Sequence, residues 1–176
     1  MDLFEAIDKR GCYRGKFDDT PVSRDVLVKI VDAGIKAPSG CNKQTTSFVV
    51  VDDPELLRQI GEVIPTPVCQ TAKAMIVCVA DERPVYGDIS FYKEDCSASV
   101  ENMLLAITAF GLSTVWYDGV LRREEHAEKI AAILRIPANK RVQVLLPIGV
   151  AAEQGTKSTR NPFEKRVSFN AWGDQD

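Results

Sequence analysis

Ala37-Pro38-Ser39-Gly40-Cys41-Asn42-Lys43-Gln44 closes a run of apolar residues at helical spacing and changes the character of the chain at once. Pro38 has no amide hydrogen and disfavours the helical region for Ala37, which predicts the end of the preceding helix. Gly40 permits a close backbone approach, and Ser39, Asn42 and Gln44 bring hydrogen-bonding groups. This is the composition of a loop that edges a ligand.

Working outward, Ser23 is a good N-cap for the helix that Pro38 stops, and Leu27, Ile30, Val31 and Ile35 mark its apolar stripe. Leu3, Ala6, Ile7 and Arg10 share a helical spacing, so a short amphipathic helix is expected to deliver Arg10 from its last turn. Downstream, the β-branched run 47–51 predicts a buried strand. Asp53-Pro54-Glu55 then supplies a cap, a first-turn proline and a favourable acidic charge for a third helix with Leu56, Leu57, Ile60 and Ile64.

The run 74–80 reads as a second buried strand. Residues 81–93 are polar and aromatic, with Tyr86, Phe91 and Tyr92 placed to cover a site. Asp95 is expected to cap a long helix whose Val100, Met103, Leu104, Ile107 and Phe110 are apolar almost all round, with core packing for Met103 and Phe110 and an end at Gly111. A strand over 112–116, a helix over 124–135 stabilised by Glu125 and Lys129, and a strand over 142–150 complete the pattern. The tail is polar through Gly155, Lys157, Ser158 and Thr159. It then carries Phe163, Val167, Phe169 and Trp172 without a periodic core of its own, and so is expected to pack on this subunit or on a partner.

The 176 residues, 45% hydrophobic, fit one globular domain spanning 1–176. A formal net charge of −3 supplies no basic field for nucleic acid. No apolar run approaches the roughly 18 residues of a membrane span, and the charged start, Met1-Asp2-Leu3-Phe4-Glu5, is not a targeting signal, so a cytoplasmic protein is expected. Five scattered cysteines without a Cys-x-x-Cys pair read as reduced thiols. The single histidine, His126, lies among Glu124, Glu125 and Glu128 and is expected on a charged helix surface; neither a zinc site nor a Ser-His-Asp triad finds support.

Arg10, Arg14 and Arg160 are candidate anion ligands, since guanidinium groups stay ionised and form forked hydrogen bonds suited to phosphate oxygens. Read together, Arg10-Gly11-Cys12-Tyr13-Arg14, the 37–44 loop, the segment Gly111-Leu112-Ser113-Thr114-Val115-Trp116-Tyr117-Asp118-Gly119 and Thr159-Arg160-Asn161-Pro162-Phe163-Glu164 resemble the nitroreductase family of flavin mononucleotide (FMN) enzymes. The likeness runs from residue 6 to about residue 163. The first motif departs from the family's Arg-Arg-Ser-x-Arg at Gly11 and Cys12. The second follows Ala-Pro-Ser-x-x-Asn-x-Gln until Thr45-Thr46 replaces Pro-Trp.

The resemblance implies an α+β nitroreductase-like fold, a central and mostly antiparallel sheet flanked by helices, in an intertwined homodimer with FMN at the interface. It implies that Arg10, Cys12 and Arg160 face the FMN phosphate and that Arg14 reaches the N1 and C2-carbonyl edge of the flavin. Pro38, Ser39, Gly40, Asn42 and Gln44 would line the flavin from the neighbouring subunit. Trp116 and Tyr117 would lie nearby, and a backbone amide of Asp118 or Gly119 would meet N5. A cation at N1 favours the negative charge of the reduced ring, and an amide at N5 orients it without adding a titratable group.

The activity so implied is two-electron reduction of a nitroaromatic, quinone or similar conjugated acceptor by NAD(P)H in a ping-pong cycle. Reductive dehalogenation and flavin breakdown share the motifs. A flavin carrier or sensor without turnover, and a plain interaction module, are the readings from other classes. No Gly-x-Gly-x-x-Gly follows a strand, which argues against a Rossmann dinucleotide domain.

Overall fold

The computed structural model describes residues 1–156 and 158–173; Lys157, expected in the polar start of the tail, lies outside the described residues. At its centre is β2 (Ala74–Ala80), buried along its whole length because helices cover both of its faces. It pairs antiparallel with β1 (Thr46–Val51) on one side and β4 (Arg141–Gly149) on the other, and β4 pairs antiparallel with the two-residue β3 (Ser113–Thr114), giving the order β1-β2-β4-β3. The expected α+β architecture is present, and all three pairings are antiparallel.

Alternation along β2 divides the core. Met75, Val77 and Val79 face one layer, with α3 (Pro54–Val63), the short α4 (Pro67–Gln70) and α6 (His126–Ile133). Ala74, Ile76 and Cys78 face the other, with Leu27 and Ile30 of α2 (Arg24–Ile35) and Val100, Met103, Leu104 and Ile107 of α5 (Tyr92–Ala109). α1 (Leu3–Lys9) lies against α5 and buries only Ala6, leaving Leu3, Phe4 and Ile7 exposed. Ser23 and Asp53 cap α2 and α3 as expected, and Gly111 leaves α5 at φ 73°, a conformation suited to glycine.

Several expectations are corrected. The 47–51 strand is an edge strand, with only Val51 fully buried and Val50 exposed, since β1 has a partner on one side alone. Asp95 does not cap α5: the helix begins at Tyr92, which places Asp95 inside its first turns. Phe110 is 43% exposed because the helix ends before it and turns it outward. The 112–116 strand shrinks to two residues, extended only by an isolated bridge between Tyr117 and Leu145.

The expected 124–135 helix starts at His126, because Glu124 and Glu125 take left-handed backbone with φ 53° and 57°. Lys129 Nζ then donates to the Glu124 carbonyl at 2.8 Å, in place of the expected side-chain pairing with Glu125. The same turn swings His126 inward. It is buried, with Nδ1 2.9 Å from the Val120 carbonyl and Nε2 3.4 Å from Glu124, so it is no surface residue. Of the tail, Phe163, Val167, Phe169 and Trp172 all stand exposed; within this subunit they find no core.

Candidate functional site

Residues 10–18 form an extended strap across the ends of β3 and β4. The Tyr13 amide donates to the Thr114 carbonyl at 2.8 Å, the Asp18 amide to Val150 at 2.9 Å, and the Ala152 amide to Lys16 at 3.0 Å. Tyr13 and Phe17 turn inward, their rings 5.6 Å apart, and the Tyr13 hydroxyl donates to the Lys16 carbonyl at 2.6 Å. A Cβ on Gly149 would stand 2.8 Å from Phe17 Cβ, so this close approach requires glycine.

In an extended chain alternate residues share a face, and anchoring Tyr13 and Phe17 inward therefore sends Arg10, Cys12 and Arg14 the other way. Arg160 meets them from the tail. The four line one cleft of about 510 Å³, together with Gly11, Ser158, Asp8 and Glu101. Arg10 Nε pairs with Glu101 Oε1 at 3.4 Å, whereas Arg14 and Arg160 form no ion pair among the described residues. The three arginines singled out in the sequence are thus brought together. Cys12 is exposed beside them.

The 37–44 loop is built elsewhere. After α2 ends, a short 3-10 turn over Gly40–Asn42 leads to β1, and Cys41, Asn42 and Gln44 all hold left-handed backbone, with φ of 49°, 52° and 49°. The Ser39 hydroxyl accepts the Gln44 amide hydrogen at 3.1 Å, closing the loop on itself. A Cβ on Gly40 would stand 2.8 Å from Phe91 Cβ, so the glycine lets the Phe91 side chain lie against the backbone. Phe91 is thereby the aromatic residue of 81–93 that covers part of the loop, while Tyr86 is 64% exposed. Pro38, Asn42 and Gln44 face solvent. None of residues 38–44 lines the arginine cleft.

The 116–119 segment lies at the end of β3. Trp116 packs on the α2/α5 layer. Tyr117 bridges to Leu145, and its hydroxyl donates to Thr66 Oγ1 at 3.3 Å. Burial pushes its phenol above the usual value, and the Thr66 hydrogen bond and the nearby Arg14 charge draw it back, which ties this segment electrostatically to the cleft. Asp118 directs its carboxylate at Arg122, at 2.9 and 2.6 Å, a hydrogen-bonded pair that holds the Arg122 guanidinium above its ordinary pKa. Gly119 is exposed and has open space where a Cβ would lie.

Sequence reasoning missed Asp95 and Glu101, both on α5, which runs between the two regions. Glu101 occupies a guanidinium of the cleft, and Asp95 is bonded to the 39–45 loop. The available signal was an acidic residue within a helix otherwise apolar nearly all round. Among the described residues no helix is long and apolar enough to cross a membrane, and no cluster of His, Cys, Asp and Glu could hold a metal ion.

Comparison with known proteins sets this geometry among relatives. Residues 7–68 and 67–150 match the model of the nitroreductase family. A protein of Methanothermobacter thermautotrophicus, named provisionally as an NADH dehydrogenase/NAD(P)H nitroreductase, is 33% identical over 98% of this chain and 88% of its own. The solved structure of a nitroreductase family protein from Clostridium novyi NT is 30% identical with a TM-score of 0.75, covering 85% of each chain. An FMN-dependent nitroreductase from Clostridium difficile R20291 superimposes with a TM-score of 0.81 at 25% identity, over 97% of this chain and 100% of that one.

Proposed function

The chain belongs to the nitroreductase family, and from that membership we propose that it is an FMN-dependent oxidoreductase that uses NAD(P)H to reduce nitroaromatic, quinone or similar conjugated acceptors. The observation that carries the reading is the convergence of Arg10, Arg14 and Arg160 on one cleft beside Cys12. Arg160, which pairs with no carboxylate among the described residues, and Arg10, shared with Glu101, suit a doubly charged phosphate, so the residues present fit the phosphate end of FMN. When bound, FMN supplies two-electron chemistry, taking reducing equivalents from NAD(P)H and passing them to the acceptor in a ping-pong cycle.

The protein's part is placement and electrostatics. Arg10 and Arg160, with the Cys12 thiol, hold the phosphate; Arg14, close enough to Tyr117 to act on its phenol, provides positive charge where the reduced ring becomes negative. A backbone amide of Asp118 or Gly119 donates to the ring and orients it. Pro38, Ser39, Gly40, Asn42 and Gln44 lie apart from the cleft of their own chain, which supports a homodimer in which each loop completes the partner's site. We read 1–176 as one such domain and place it in the cytoplasm, where its five free thiols stay reduced.

The test is the visible spectrum of the purified protein before and after NADH and NADPH. A yellow protein bleached by either and restored by a quinone is the expected result. Bound flavin that neither nucleotide bleaches would make the protein a carrier or sensor, and a colourless protein that takes up no added FMN would overturn the reading.

A further inference from the structure

Asp95 is 3% exposed, yet both of its carboxylate oxygens serve the 39–45 loop and neither serves its own helix. Oδ1 accepts the Gly40 amide hydrogen at 2.7 Å, and Oδ2 accepts the Thr45 hydroxyl at 2.5 Å. These two bonds clamp the ends of the segment in which Cys41, Asn42 and Gln44 take left-handed backbone. L-residues keep such a conformation only where the surroundings over-determine it. Asp95 forms no ion pair among the described residues, and a buried carboxylate with neutral donors alone is expensive to keep. Its neighbours Cys96 and Ser99 are buried too, and Phe91 closes over Gly40, so the clamp is shielded from water.

We propose that Asp95 is a positioning residue that fixes the 39–45 loop in its flavin-binding shape before the flavin arrives. The role rests on the FMN reading above. Its physical content is preorganisation: ordering a loop at the moment of binding is charged against affinity, and a loop already held by two charge-assisted hydrogen bonds avoids that cost. Asp95 touches neither cofactor nor substrate; it acts through Gly40 and Thr45.

The experiment compares wild type, Asp95→Ala, Asp95→Asn and Thr45→Val as full-length proteins. FMN affinity is measured by quenching of flavin fluorescence. Loop order is measured without ligand, by hydrogen exchange of the 39–45 peptide and by peptide-resolved alkylation of Cys41, which is exposed in the same loop. Loss of both bonds in Asp95→Ala is expected to weaken FMN binding about tenfold to a hundredfold. Exchange and Cys41 labelling should speed up in the loop while β2 and β4 keep their protection. Thr45→Val, losing one bond, should show a smaller change of the same kind. Asp95→Asn should fall near it, since Asn can still accept from Gly40, and this pair carries the comparison if Asp95→Ala does not fold.

A wild type that takes up FMN beside variants that bind it equally well would overturn this role alone. Faster exchange spread over β2 and β4 would also overturn it, leaving Asp95 as a general stabiliser. A wild type that takes up no FMN would overturn the functional reading and this role with it.

Discussion

Arg10 Nε stands 3.4 Å from Glu101 Oε1 in the lining of the cleft, so an anion bound by Arg10 there must share its guanidinium with a carboxylate already present. The Glu101 side chain is half-exposed, and a pair of this kind is worth about 0 to 1 kcal/mol. Glu101→Gln is therefore expected to tighten FMN binding by up to about fivefold. Arg160→Ala, losing an unshared cation, should weaken it by about tenfold to a hundredfold, and Arg10→Ala by less. Titration of the apoprotein with FMN checks all three, and an Arg160→Ala protein with wild-type affinity would move the phosphate elsewhere.

Arg14→Gln removes charge near Tyr117 while leaving Arg10 and Arg160 in place. FMN should stay largely bound, with a more negative midpoint potential and slower reduction by NAD(P)H in stopped flow. Loss of FMN at unchanged potential would reassign Arg14 to the phosphate.

Exposed apolar side chains lie on α1, at Leu3, Phe4 and Ile7, and along the tail, at Phe163, Phe169 and Trp172. Large apolar patches of this kind mark interaction surfaces. Sedimentation velocity is expected to show a dimer that persists to nanomolar concentration, and Phe4→Asp together with Trp172→Asp should shift it toward monomer. An FMN-loaded wild-type monomer would count against the shared site.

Acid sensitivity has a local component on α3. Hydrogen bonds from Arg58 and then Gln59 hold the Glu55 carboxyl at about 2, below the ordinary 4.5. A depressed folded-state pKa contributes stability that is present above the unfolded value and is lost as pH falls through the folded one. The contribution should therefore disappear between about pH 4.5 and 2, and in Glu55→Gln the stability should vary less steeply with pH in that window. Both partners are exposed, so the effect is small; NMR titration of the Glu55 carboxyl reads it directly.

Burial divides the thiols into two groups. Cys12 and Cys41 are exposed, Cys69 is pushed up to about 11 by burial, and Cys78 is raised well above its ordinary value by its contact with Cys96, 2.7 Å away, and by burial. Alkylation of the native protein should label Cys12 and Cys41 alone, with FMN slowing Cys12. Rapid labelling of Cys78 would mean that the α2/α5 layer opens readily.

What the sequence made legible was periodic or chemically punctuated. β2 shows as an unbroken apolar run, and the Ser23 and Asp53 caps and the Pro38 stop are local chemistry, so their elements formed where expected. What it hid depends on partners far along the chain. The left-handed backbone of Glu124 and Glu125 turns His126 inward although Glu124, Glu125 and Glu128 around it are charged, and β1 is half-exposed because no strand lies beyond it. The arginines of the site could be named from their types and spacing. Asp95 could not, because an acidic residue near a helix start reads as a cap until the loop that uses it is in view.

The strap has a consequence for how the protein is made. Tyr13 finds its partner at Thr114, Asp18 at Val150 and Lys16 at Ala152, so the strap is anchored only by segments far along the chain from it. Contacts between distant parts of a chain slow folding, since loop closure must precede its reward. The cleft therefore assembles late in folding, once the 150–160 segment has come back to the strap and Arg160 has joined Arg10 and Arg14. A chain cut before residue 150 is expected to keep the Tyr13 bond to Thr114 but to lose the Asp18 and Lys16 anchors together with Arg160, leaving two of the three arginines on a strap held at one point.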